Sequence, residues 1–131
     1  MSRVQLAAVG ISVAGIAISI YLTVLHYAGA APACVTSGPV NCEAVLSSRY
    51  AVIAGSSIPT SALGIVWFAV SAAAWTRPRG RVQLAWSAVG LVTVLGLVFI
   101  EIVLVGAICL WCTAAHALVV ALFLIAVTPR Q

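Results

Sequence analysis

The chain has 131 residues, of which 64% are hydrophobic and only 6% are charged. Soluble domains carry about 25% charged residues, so this composition excludes a water-soluble globule, and the apolar excess excludes a disordered chain. A membrane-spanning helix needs about 20 apolar residues, so the length accommodates four or five such helices and no separate soluble domain. The net charge of +4 comes from six arginines and two acids, and the arginines form no stripe among aromatic residues that would indicate nucleic-acid binding.

The first apolar run, from Val4 to Tyr27, predicts a membrane span. A cleavable signal peptide is the competing interpretation, because Arg3 precedes the run and small residues follow it. The apolar core of a signal peptide has only about 7–15 residues, so we expect a retained helix. Residues 28–57 then form a large loop. Apolar residues at helical spacing within residues 42–50 predict a short amphipathic helix on the membrane surface.

Three further apolar runs predict three further spans and hence an all-α membrane protein, a four-helix bundle that forms a single domain. The four predicted spans cover residues 4–27, 58–75, 82–102 and 108–127. A basic turn at residues 77–81 follows the second span, and a short turn around Gly106 precedes the fourth.

The distribution of the arginines predicts the orientation of the bundle. Five of them fall on one side of the predicted spans: Arg3, Arg77, Arg79, Arg81 and Arg130. Only Arg49 falls on the other side. Positive residues concentrate in cytoplasmic segments, so we expect both termini in the cytoplasm and the 28–57 loop outside the plasma membrane. All four cysteines would then lie at the outer face, where disulfide bonds are permitted.

Cys109 and Cys112 form a CxxC pair at the start of the fourth span. Residues three apart share a helix face, and a helix N-terminus stabilises a thiolate, so this pair predicts a reactive dithiol. Cys34 and Cys42 lie in the outer loop, which permits them to bond to each other or to reach the helical pair. Two dithiols at one face indicate a relay by thiol–disulfide exchange. Because Cys112 lies within an apolar helix, it is placed to meet a lipid-soluble electron acceptor.

Three other interpretations stay open at the level of the residues. Two fixed disulfides would merely brace the outer loops in a structural membrane subunit. Four cysteines are also the ligand set of a structural zinc site. Glu101 and His116, which lie inside apolar spans, are typical of a small ion-coupled transporter.

A loop cysteine pair, a Ser-Ser-Arg-aromatic segment and a helical CxxC pair follow one another along the chain. These are Cys34-x7-Cys42, then residues 45–50, then Cys109-x2-Cys112. The arrangement resembles the vitamin K epoxide reductase family over essentially the whole chain. The resemblance implies a quinone-dependent thiol oxidoreductase that supports disulfide bond formation, with reduction of vitamin K epoxide as a further activity. It implies a quinone of the menaquinone, ubiquinone or vitamin K type as electron acceptor, and no metal.

The resemblance also implies a role for each cysteine. Cys34 would exchange disulfides with a protein partner, and Cys42 would pass electrons on to Cys109. Cys112 would lie against the quinone ring and transfer electrons to it. Many bacterial members carry a fused thioredoxin-like domain. This chain ends at Gln131, so we expect a separate thioredoxin-like protein as the partner.

Four further residues are candidates for binding the quinone. Ser48 matches a family serine near the quinone pocket, and Thr60 is nearest to the position of a family asparagine that bonds the quinone. Trp111, between the two helical cysteines, is placed to line the pocket. His116 lies four residues after Cys112 on the same helix face and is placed to donate to a quinone carbonyl. Glu101, an acid within the third span, is a candidate proton relay.

Overall fold

The computed structural model describes residues 1–30, 32–34, 37–53 and 56–129, so Arg130 of the charge count lies outside the described residues. Within these ranges the chain is helical, with a few isolated β-bridges and no β-strand. The helices are α1 (Arg3–Ala28), α2 (Cys42–Leu46), α3 (Thr60–Ala74), α4 (Arg81–Phe99) and α5 (Leu110–Val127). A 3-10 turn (Arg49–Ala51) follows α2, and a π-helical segment (Ile100–Val105) extends α4.

Among the described residues, three helices are long and apolar enough to cross a membrane: Arg3–Ala28, Arg81–Val105 and Leu110–Val127. Helix α3 is also apolar but has only 15 residues. Large apolar side chains are exposed along the long helices, as with Val92 and Leu95, which are 69% and 62% exposed. Such faces suit contact with lipid rather than water. The described residues therefore form a helical membrane protein.

The helix ends differ from the predicted spans where distant backbone segments pair. Helix α3 begins at Thr60 instead of residue 58, because Pro59 has an extended backbone and forms a β-bridge with Val52. Helix α5 begins at Leu110 instead of residue 108, because Ile108 forms a β-bridge with Val40. The predicted short helix within residues 42–50 is found as α2 and the 3-10 turn.

The start of α1, the basic turn and the end of α5 meet at one end of the bundle. The Gln5 side chain closes a capping box with Ser2 and donates to the Thr76 carbonyl at 3.2 Å. The Arg79 guanidinium donates to the Ile125 carbonyl at 2.8 Å. These bonds hold the turn between α3 and α4 against α1 and α5.

Small residues bring α1 and α3 close together. Gly15 faces the Phe68 ring so closely that an added Cβ would collide with it. At Gly64 an added Cβ would lie 2.7 Å from the Ser19 hydroxyl oxygen. Such small-residue contacts let helix backbones approach in a membrane, where apolar burial alone contributes little to association. The buried core of the bundle consists of Ala8, Phe68, Trp75, Val94, Val119, Leu122 and Ala126.

At the opposite end, backbone hydrogen bonds pin the cysteine loop to the entry of α5. The Ile108 N–H donates to the Pro39 carbonyl at 2.8 Å, and the Asn41 N–H donates to the Ile108 carbonyl at 2.9 Å. The Asn41 side chain then caps the N-terminus of α2. Cys42, the first residue of α2, and Cys109, the residue before α5, are therefore held as neighbours.

Candidate redox site and cavity

The loop cysteines are joined: Cys34 and Cys42 form a disulfide with their Cα atoms 6.3 Å apart. Cys42 is 2% exposed, whereas Cys34 is only half-buried. An attacking thiol from another protein would therefore reach the sulfur of Cys34 more readily. The bond also removes both sulfurs from the four-cysteine zinc site that the sequence left open.

The helical cysteines are free thiols in contact with each other. The Cys109 sulfur caps α5 and accepts a hydrogen bond of 3.3 Å from the backbone N–H of Cys112. A hydrogen bond with the Cys112 thiol lowers the pKa of Cys109, and burial opposes this shift without overcoming it. The start of α5 therefore favours a thiolate at Cys109, as expected for a sulfur at a helix N-terminus.

The two cysteine pairs touch. The backbone N–H of Leu110 donates a hydrogen bond of 3.3 Å to the sulfur of Cys42. Cys42 and Cys109 belong to one buried cluster with Val45 and Ala107. The loop disulfide thus lies against the first turn of the helix that carries the free thiols. This proximity is the requirement for exchange between the pairs.

A largely apolar cavity of about 790 Å³ lies inside the bundle beside this site. Residues from all five helices line it, among them Leu22, Val45, Phe68, Val94 and Val119. Its volume falls within the range of about 300–1,000 Å³ that is typical of small-molecule sites. Cys112 lines the cavity, whereas Cys109 is not among its lining residues. A molecule bound there would meet the sulfur of Cys112.

Ser48, Thr60 and His116, three of the candidate quinone-binding residues, line the same cavity. The Ser48 hydroxyl donates to the Val45 carbonyl at 2.7 Å, and the Thr60 hydroxyl donates to the Tyr50 carbonyl at 3.5 Å. Both hydroxyl protons are therefore engaged. The His116 Nδ1 atom is buried and, within the described part of the chain, has no hydrogen-bond partner. An imidazole with an unused nitrogen suits a bound carbonyl oxygen.

Glu101 contacts both the cavity and the backbone of Cys109. Its side chain lines the cavity and is only 6% exposed, and its carboxylate accepts a hydrogen bond from the backbone N–H of Cys109. The π-helical segment that carries it ends at Val105 and is capped by Gly106, whose φ of 74° favours glycine. The Gly106 N–H donates to the Glu101 carbonyl at 2.8 Å, which fixes this turn.

Trp111, the fourth candidate, is not among the residues that line the cavity. Its ring packs against Tyr21 of α1, with centroids 4.8 Å apart and an interplanar angle of 47°. Its indole N–H donates to the Ala33 carbonyl at 2.9 Å. The structure therefore joins this side chain to the cysteine loop and separates it from the other three candidates.

Two tryptophans that sequence reasoning did not assign to the site line the cavity. The rings of Trp67 and Trp86 stack with centroids 5.9 Å apart, and the Trp86 indole N–H donates to the Trp67 carbonyl at 3.2 Å. Gly90 leaves room for the Trp67 ring, because an added Cβ would collide with it. The sequence did hold one signal, since Trp67 lies in the middle of an apolar run, far from a membrane interface.

Residues 6–127 match the vitamin K epoxide reductase family. No curated protein matches the chain. The family match spans nearly all of the 131 residues, including both cysteine pairs and the residues that line the cavity. The chain therefore belongs to the vitamin K epoxide reductase family, whose members are membrane thiol oxidoreductases linked to quinones.

Proposed function

We propose that this protein oxidises a thioredoxin-like dithiol and delivers the electrons to a quinone in the membrane, and so supports disulfide bond formation. The observation that carries the proposal is the position of Cys112. It lines an apolar cavity large enough for a quinone ring, while its neighbour Cys109 lies beside the loop disulfide. Electrons that enter at Cys34 can therefore reach the cavity through exchange steps between neighbouring sulfurs.

The cycle starts from the observed state, with the loop pair oxidised and the helical pair reduced. Cys112 and Cys109 give two electrons and two protons to the quinone, and a disulfide forms between their sulfurs. The two thiols of the partner then open the Cys34–Cys42 disulfide by attack at Cys34. The partner leaves with its own disulfide, and Cys34 and Cys42 are thiols.

Two exchange steps within the chain restore the starting state. Cys42 attacks Cys109, so the Cys42–Cys109 bond forms, the Cys109–Cys112 bond breaks and Cys112 leaves as a thiolate. Cys34 then attacks Cys42, which closes the loop disulfide and releases Cys109. The net reaction converts one dithiol and one quinone into one disulfide and one quinol. The quinone supplies the oxidising power, since for two electrons ~30 mV of potential difference is worth ~1.4 kcal/mol.

The polar side chains of the cavity bind the quinone and transfer the protons that its reduction requires. His116 donates a hydrogen bond to a quinone carbonyl, because its Nδ1 atom is otherwise unpartnered among the described residues. Glu101 relays protons between the thiols and the cavity, because it lines the cavity and bonds the backbone of Cys109. Ser48 and Thr60 shape the wall, since their hydroxyl protons already bond backbone carbonyls.

We further propose that the chain forms one domain of four spans in the plasma membrane, with its termini in the cytoplasm. This orientation is supported by the ends of the bundle. The basic turn, with Arg77 and Arg79, meets the start of α1 and the end of α5, whereas the cysteines gather at the other end. Positive residues mark the cytoplasmic side. The cysteines would then face a compartment that permits disulfides.

The test combines purified protein in lipid, a quinone and a reduced thioredoxin-like protein in the absence of oxygen. Quinone absorbance should fall with time, and replacing any one of the four cysteines should slow this fall. A quinone signal that stays constant with wild-type protein would contradict the proposal. Vitamin K epoxide in place of the quinone tests the second activity that the family suggests.

Two further tests separate the proposed enzyme from its two rivals. A transporter that uses Glu101 and His116 would keep its function when all four cysteines are replaced. A structural subunit braced by disulfides would keep the same thiol state whether a quinone is present or absent. The proposed enzyme loses its function when the cysteines are replaced, and its thiol state changes when a quinone is added.

A further inference from the structure

Two aromatic side chains hold the residue that precedes the reactive loop cysteine. The backbone N–H of Ala33 donates to the Tyr21 hydroxyl oxygen at 3.2 Å, and the Ala33 carbonyl accepts from the Trp111 indole N–H at 2.9 Å. The two rings pack on each other. Both backbone polar groups of one exposed loop residue, Ala33, are thus bonded to side chains from α1 and α5. We call Tyr21 and Trp111 the aromatic clamp.

We propose that the aromatic clamp is a positioning device that keeps Cys34 beside Cys42 while their disulfide is open. This inference rests on the proposed relay and adds a role for two aromatic side chains that are not among the residues lining the cavity. Its function is to speed the last exchange step, in which the loop disulfide closes again.

The chemistry of that step explains the need for a clamp. Cys42 is then bonded to Cys109, and the Cys34 thiolate attacks the Cys42 sulfur. The Cys34–Cys42 bond forms, the Cys42–Cys109 bond breaks, and Cys109 leaves as a thiolate beside the N-terminus of α5. No outside oxidant or reductant takes part. The rate depends on how often Cys34 lies within reach of Cys42, which is an effective concentration.

The two cysteines of the loop are held in different ways. Cys42 is the first residue of α2, and the preceding Asn41 is hydrogen-bonded to Ile108, so its position does not depend on the disulfide. Cys34 belongs to no helix. Once the disulfide opens, the neighbouring Ala33 still ties it to α1 and α5 through the clamp.

The position of Trp111 fits this role. Successive residues of an α-helix point about 100° apart, so neighbours face different directions. Cys112 faces the cavity, and Trp111, one residue earlier, reaches the loop instead. The residue between the helical cysteines therefore links the loop that receives electrons to the helix that passes them on.

The test uses single substitutions that remove one hydrogen bond and keep a ring. Trp111→Phe deletes the indole N–H, and Tyr21→Phe deletes the hydroxyl. Trp75→Phe, deep in the core, and Tyr27→Phe, exposed near the end of α1, make the same chemical changes without removing either hydrogen bond to Ala33. The full chain in lipid turns over with a quinone and a reduced thioredoxin-like protein and is then quenched with acid. Mass spectrometry measures the fraction trapped as the Cys42–Cys109 disulfide.

We expect each clamp substitution to raise the trapped fraction about fivefold, the effect of one hydrogen bond, whereas both controls match wild type. Cys34→Ala cannot complete the last step and sets the upper limit. Clamp variants that trap no more Cys42–Cys109 disulfide than wild type would overturn the positioning role. This holds even if turnover falls, because a variant that merely unfolds loses turnover without accumulating this disulfide. No trapped disulfide in Cys34→Ala would instead overturn the relay, and with it the inference.

Discussion

The backbone N–H of Leu110 points at the sulfur of Cys42 at 3.3 Å, although 68 residues separate them along the chain. Leu110 opens α5, so this sulfur shares the helix N-terminus with Cys109. A helix N-terminus favours negative charge. Whichever sulfur of the Cys42–Cys109 pair leaves as a thiolate during exchange is therefore stabilised by the same helix.

The cysteines should separate into an entry pair and an exit pair. We expect Cys112→Ala to abolish quinone reduction with any electron donor, because this sulfur is the one that lines the cavity. Cys34→Ala should block reduction by a thioredoxin-like protein and spare reduction by dithiothreitol, which can reach the helical pair without the loop. Quinone absorbance measures both. Equal losses in the two variants with dithiothreitol would contradict these roles.

His116 should affect quinone binding more than thiol exchange. His116→Phe removes the Nδ1 atom, which has no hydrogen-bond partner in the described ranges, from the cavity wall. We expect the KM for quinone to rise about tenfold, the effect of one or two lost hydrogen bonds. His116→Gln restores a donor and should recover most of the affinity. Steady-state kinetics with varied quinone provide the measurement. A KM for His116→Phe equal to that of wild type would remove His116 from the binding site.

Cys109 should ionise at a lower pH than an ordinary cysteine. The hydrogen bond with the Cys112 thiol lowers its pKa, so its thiolate persists as the pH falls below the ordinary value of about 8.5. Cys112→Ala removes that bond and should move the titration upward. The ultraviolet absorbance of the thiolate, followed against pH with the loop disulfide intact, gives the midpoint, and Cys109→Ser identifies the signal. The same midpoint with and without Cys112 would refute this cause.

A methyl group at Gly90 should damage the cavity. Its Cβ would collide with the Trp67 ring, which must then move. We expect Gly90→Ala to weaken quinone binding and to lower stability by about 1–3 kcal/mol, as overpacking does. Gly96→Ala in the same helix has open space around the new Cβ and should leave both unchanged or slightly improve stability. Quinone titration and thermal unfolding compare the two variants, and identical behaviour would argue against the packing.

Apolar run length was enough to predict the main helices, and the cysteine spacing led to the chemistry that we propose for the site. The ends of α3 and α5 were not predictable in this way, because β-bridges at Pro59 and Ile108 set them. These bridges join segments that local patterns treat separately. A pattern of apolar residues reports burial in lipid along a run, and it does not report which backbone atoms find a distant partner.

In the candidate site, too, local patterns predict some features, whereas long-range packing decides others. Helical spacing predicts that Cys112 and His116 share a face of α5, and both residues line the cavity. The hydrogen bond between Trp111 and Ala33 spans 78 residues and depends on how α1, α5 and the loop pack together. Nothing in the residues around Trp111 indicates that its ring points towards the loop.

The most direct test of the account uses the protein alone, in its observed state, with one disulfide and two free thiols. A quinone is added without oxygen or any thiol, and the cysteines are then alkylated and mapped by mass spectrometry. The account predicts that a Cys109–Cys112 disulfide forms together with one equivalent of quinol, and that Cys112→Ala forms neither. Free, alkylated Cys109 and Cys112 after exposure to a range of quinones would contradict it.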